Sequence, residues 1–124
     1  FGGDGRREKR ERENEFNALT DWMLERVASP RSHHRDYILL GDLNVDDQHF
    51  GELGRIPNLG HVVSGQATNT RGSHEYDNIL FDIKNTVEIT GRGGVFDFMR
   101  EYNLSLDDAV LVVDHLPVWA EFSV

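Results

Sequence analysis

The chain has 124 residues, of which 38% are hydrophobic and 28% charged, the profile of a single soluble globular domain and not of a disordered segment. A net charge of −9 argues against binding nucleic acid through a broad basic surface, and the absence of cysteine excludes disulfides and thiolate zinc sites. No apolar run approaches the ~20 residues of a membrane span, no signal-peptide core is evident, and the opening Phe1-Gly2-Gly3 is expected of a processed chain or a fragment.

Arg6 to Ala28 is predicted as one helix, because Phe16, Leu19, Met23 and Val27 recur at the spacing of one helical face. Its mixed-sign first half, Arg6 to Glu13, suits a solvated face with i,i+4 pairs better than a nucleic-acid arm. Ser29-Pro30 is expected to end it, since a residue before proline is pushed out of the helical region. Tyr37 to Leu40, closing on Gly41, is predicted as a strand buried on both faces. A polar connection follows from Asp46 to about Asn58, then a weak strand around His61 to Val63 and a loop from Gly65 to His74. Tyr76 to Phe81 is predicted as a further strand. Thr86 to Ile89 is expected at a sheet edge, and Gly91-Arg92-Gly93-Gly94 as a flexible turn. Phe96 to Tyr102 reads as a short helix, and Ser105 is placed to cap another reaching Leu111, with Asp107 and Asp108 in its first turn. Leu116, Val118, Ala120 and Phe122 alternate with Pro117, Trp119 and Glu121, the pattern of a closing strand with one face inward. The sum is a mixed α/β layer structure with its active loops at strand ends.

Two segments carry the candidate chemistry. Gly41-Asp42-Leu43-Asn44 ends a strand with a carboxylate and a carboxamide on the same side, able to orient a water and bond a phosphate oxygen. A simpler reading is an Asx turn closing the strand. The calcium-loop reading of Asp42, Asn44 and Asp46 fails, because Asp47 stands where glycine is needed and Leu53 where a bidentate glutamate is needed. The second segment is Asp114-His115 before the last strand, which is otherwise an exposed polar pair. A histidine that donates to a phosphate oxygen needs an acidic partner to fix its tautomer, and Asp77, at the start of a strand, is the candidate, leaving Asp114 for a metal. His33, His34, His49, His61 and His74 lack metal-ligand spacing. Thr68-Asn69-Thr70, Arg71 and Arg92 read more simply as loop and exposed positions than as phosphate contacts.

In order and spacing, Ile38 to Asn44, Thr68, Tyr76 to Leu80, Tyr102 to Ser105 and Asp114 to Val118 resemble the endonuclease/exonuclease/phosphatase superfamily, in its DNase I-like branch. The resemblance implies an α/β (α+β) fold that is part of a four-layer αββα sandwich. It places residues 1–124 as one partial domain, the C-terminal half, without the N-terminal half that supplies a metal-binding glutamate and another catalytic histidine. Val113 stands where the family usually has serine. The implied roles are catalytic for Asp42, Asn44, Asp77 and His115, metal-binding for Asp114, and phosphate-binding for Thr68 and Tyr76. Asp42 would orient or deprotonate the attacking water, Asn44 would hold a phosphate oxygen, and His115, supported by Asp77, would stabilise the transition state. The implied cofactor is Mg²⁺, with Mn²⁺ or Ca²⁺ as alternatives, and the implied substrate is DNA. The other readings are a phosphatase of the same superfamily acting on phospholipid, inositol or other small phosphate esters, and a noncatalytic or incomplete α/β module.

Overall fold

The computed structural model describes residues 5–28 and 36–124. Helix α1 (Arg6–Ala28) has the predicted bounds, with Phe16 and Met23 buried and Leu19 packed beside them. Thr20, fully buried on the same face, returns its hydroxyl to the Phe16 carbonyl at 2.9 Å, which satisfies a polar group inside an apolar contact. The expected Ser29-Pro30 stop, the Val27 side chain and the His33-His34 pair lie outside the described residues.

Strands β1 (Ile38–Asp42), β2 (Leu59–His61) and β3 (Asp77–Asp82) form an antiparallel sheet in the order β1-β3-β2. A 3-10 helix, Gly51–Arg55, bridges β1 and β2. The core lies between α1, the 3-10 helix and one face of this sheet: Phe16, Met23, Leu43, Phe50, Leu53, Ile56 and Leu80, flanked by Leu39, Tyr37 and Leu59. Burial of these side chains from water is the main force holding the layers together. The second sheet pairs β4 (Ile89–Val95) with β5 (Val118–Phe122), and β5 packs on β3. Helices α2 (Phe98–Glu101) and α3 (Leu106–Val112) connect them, capped by Asp97 and Ser105, whose side chains accept from the amides of Arg100 and Asp108. The fold is thus mixed α/β with antiparallel sheets, as expected.

Three local expectations differ. Strand β1 is not covered on both faces: Ile38 and Leu40 are 47% and 68% exposed, because only the Leu39 side meets the core and no layer among the described residues packs on its opposite face. Thr86 to Glu88 is turn and not edge strand, because Asp82 Oδ1 accepts the amides of Lys84 (2.8 Å) and Asn85 (3.1 Å) and folds the chain back. Gly91 to Gly94 belongs to β4 and not to a turn, with a register irregularity between Ile89 and Gly93. Glycine serves close approach here: a β-carbon on Gly93 would lie 2.7 Å from the Trp119 carbonyl oxygen and 2.9 Å from Val62 Cγ1.

Candidate functional site

Strand pairing builds the first half of the site. Asp42, the last residue of β1, is directly opposite Asp77, the first of β3, so the two carboxylates emerge on one face. Like charges facing each other across a ladder are unfavourable without compensation. The amides of Leu43 and Asn44 both reach the Tyr76 carbonyl (2.7 and 3.1 Å), and the Asn44 amide also reaches Asp42 Oδ1 (3.1 Å). Asn44 completes this bend with φ of 54°. The Asx-turn reading is therefore correct, and it coexists with the convergence of carboxylates.

The second half arrives through a loop. Thr68, wholly buried, donates from Oγ1 to Asp77 Oδ2 (2.7 Å) and accepts the amides of Tyr76 (2.9 Å) and Asp77 (3.0 Å). One hydroxyl thus uses its single proton and both lone pairs. The same loop holds the segment after α3. The Leu116 amide donates to Thr68 O (2.6 Å), the Thr70 amide to Asp114 O (2.8 Å), and the Thr70 hydroxyl to Val113 O (2.7 Å); Asn69 and His115 form an isolated antiparallel bridge. His115 is delivered to Asp77 by this backbone splint.

The result is a carboxylate–imidazole pair, His115 Nδ1 to Asp77 Oδ2 at 2.7 Å, one-third exposed at the imidazole and 17% at the carboxylate. An ionised carboxylate only accepts, so Nδ1 carries the proton and Nε2 is left for a second partner. The bond to Asp77 raises the His115 pKa above its ordinary value. Partial burial opposes this, and the charges of Asp77, Asp42 and Asp114 reinforce it.

Donor atoms of Asp42, Asp77 and His115 all lie within 4.8 Å of one another, and this is the group of metal-ligand type found among the described residues. The two carboxylates are the oxygen donors that a hard divalent cation takes while keeping most of its waters, and the imidazole Nε2 is the softer donor of the group. Asp114, expected as a metal ligand, is exposed and outside that group, although its charge reaches His115. Asn44 borders the group through its backbone. Tyr76 lies 6.0 Å from His115 between ring centroids. Arg92 is drawn to Glu121 (3.5 Å) in β4 and β5, and Arg71 is exposed. His61 Nδ1 bonds the Val63 carbonyl (2.9 Å) and His49 pairs with Asp46 (2.6 Å). A cleft of about 820 Å³ between α1 and residues 43–55 has Asn44 in its lining.

Sequence reasoning missed a neighbouring support. Glu75, 9% exposed, accepts the amides of Asp47 (2.6 Å) and Gln66 (3.2 Å), while Asp47 accepts from the Ser64 hydroxyl (2.7 Å) and Gly65 amide (3.2 Å). Burial first, then the Asp47 charge, pushes the Glu75 carboxyl up, whereas the Ser64 hydroxyl foremost holds Asp47 down. The link ties the segment after β1 to the segment before β3, and no local signal marks residues so far apart as partners.

No protein-family profile matches the chain. It is similar to Deoxyribonuclease-1-like 1 of Rattus norvegicus, 32% identical over 121 residues that cover 90% of this chain and 38% of that protein. It is also similar to the proteins of the same name from Homo sapiens, 31% identical over 119 residues (88% and 39%), and Sus scrofa, 31% over 121 residues (90% and 38%). The chain therefore spans about two-fifths of the length of the curated relatives it matches.

Proposed function

We propose, from the premise that this chain belongs to the DNase I-like family as a C-terminal portion, that it carries one share of the active site of a divalent-metal-dependent phosphodiesterase, a nuclease acting on DNA. Residues 1–124 are then one part of a longer domain. The observation that supports this best is the convergence of Asp42, Asp77 and His115 donor atoms within 4.8 Å from three separate segments.

The chemistry follows from the groups. The Asp42 carboxylate orients a water and takes its proton as the water oxygen bonds to phosphorus and the ester oxygen departs. His115, its pKa raised by the bond to Asp77, donates from Nε2 to a phosphate oxygen as charge accumulates there, and Asp77 holds the ring in place. The Asn44 carboxamide bonds another phosphate oxygen, with Thr68 holding Asp77 and Tyr76 standing beside the phosphate. A Mg²⁺-like cation would be held by the Asp42 carboxylate, with the charge of Asp114 reaching the same site, and would supply Lewis-acid neutralisation of the phosphate. The relatives' name favours DNA over phospholipid, inositol or other small phosphate esters.

The test uses the full-length protein with plasmid DNA. His115→Ala and Asp42→Ala are each expected to lower the rate about 10²–10⁴-fold, the range of a lost acid–base group, with unchanged circular dichroism, and EDTA to abolish cleavage. A fully active His115→Ala variant, or cleavage indifferent to EDTA, refutes the proposal.

A further inference from the structure

We infer that Lys9 and Arg12 of α1 seat the phosphodiester backbone of duplex DNA in the cleft beside the candidate site, an inference that rests on the function proposed above and adds two positioning residues to it. The buried side of α1 runs back from Met23 through Thr20 to Phe16, and the same stripe reaches Arg12 one turn earlier and Lys9 two turns earlier. An amphipathic helix lying on a core carries apolar side chains at such positions. In this helix the core stops at Phe16 and the stripe continues as two cations. Both line the cleft whose opposite wall is residues 43–55, with Asn44 in the same lining.

The other cations of the cleft are engaged. Arg55 pairs with Glu52 (3.0 Å) and His49 with Asp46 (2.6 Å). Lys9 and Arg12 form no ion pair with any described residue, although Glu13 stands on the same wall. Arg12 is half-buried and Lys9 exposed, so a guanidinium partly withdrawn from water meets no carboxylate of its own chain. Residues 6–12 hold five of the 13 basic residues and two of the 22 acidic ones, which makes this segment the place where a chain of net charge −9 attracts a polyanion.

Duplex DNA is the polyanion that the proposed function supplies. A strand whose phosphate is held at Asn44 continues along the cleft past the α1 wall. Residues three apart on a helix are surface neighbours, so Lys9 and Arg12 can take neighbouring phosphates of that strand. Contacts of this kind set the register and orientation of the duplex and read no bases.

The experiment measures KM and kcat of the full-length protein on a duplex oligonucleotide at fixed Mg²⁺ and rising NaCl. In Lys9→Ala/Arg12→Ala the log–log slope of KM against salt is expected to be shallower by about two, the loss of two phosphate contacts at about 0.9 each, with kcat unchanged. Alanine preserves the helix. Lys9→Arg/Arg12→Lys, which keeps both charges, retains the wild-type slope. So does Arg7→Ala/Arg10→Ala, which removes as much charge from α1 outside the cleft lining. If the wild type leaves the duplex uncut, the phosphodiesterase reading falls and this inference with it. If it cuts the duplex, the cleft alone is overturned by an unchanged slope in Lys9→Ala/Arg12→Ala, by an equal loss in Arg7→Ala/Arg10→Ala, or by a lost slope in the charge-keeping variant.

Discussion

Thr68→Val tests the framework of the site more sharply than removal of any reacting group. The substitution is nearly isosteric, so no cavity opens, but the hydroxyl that serves three partners disappears. Asp77 Oδ2 loses a donor at 2.7 Å, and the amides of Tyr76 and Asp77 lose their acceptor at 2.9 and 3.0 Å. Thr68 has no exposed surface, so water does not replace the lost oxygen. An unsatisfied buried amide costs about 1–3 kcal/mol and two are left, while the carboxylate keeps its imidazole, so the total is about 2–6 kcal/mol. Thr68→Ser keeps the oxygen and loses one methyl, about 1 kcal/mol. Urea unfolding of the full-length protein should therefore separate the valine and serine variants by about 1–5 kcal/mol, the hydrogen-bond loss in valine less the methyl that serine forfeits. In the same samples the His115 ring-nitrogen resonances should be disturbed by valine and not by serine. Variants within about 0.5 kcal/mol of each other would refute the argument that this hydroxyl holds Asp77 and the strand entrance together.

Two further outcomes follow from the same geometry. Because the folded pKa of His115 lies above its ordinary 6.5, the stability it contributes is fully present below that value and is lost as pH rises through the folded pKa. The stability gap between wild type and Asp77→Asn should accordingly narrow from pH 6 to pH 9, and the alkaline limb of kcat/KM should move to lower pH in the variant; a gap that widens with pH, or a fixed limb, contradicts the assignment. Gly93→Ala places a β-carbon 2.7 Å from a backbone oxygen that has little room to yield, and should cost about 1–3 kcal/mol by overpacking; an unchanged melting temperature would show that β4 is not pressed against β5.

Much of the fold was legible in the chain itself because its cues are local. The Phe16–Leu19–Met23 spacing marked α1, the apolar run before Gly41 marked β1, and Ser105 marked the start of α3, since each depends on residues within a turn or two of one another. The glycines from 91 to 94 misled for the same reason: a glycine needed for close strand contact looks, locally, like a glycine needed for a turn. Burial of β1 was also misjudged, because an apolar run reports what a strand can bury and not what lies against it.

The sequence by itself determined which chemistry was available, by supplying Asp42, Asn44, Asp77 and His115 in a recognisable order, and where helices and strands would form. Only the tertiary structure decided which of these side chains meet. The Asp42–Asp77 register, the splint from Thr68 and Thr70 to residues 113–116 and the Glu75–Asp47 link arise from hydrogen bonds between folded segments. Such contacts depend on how the backbone closes in space, and most join residues whose separation along the chain leaves no periodic trace.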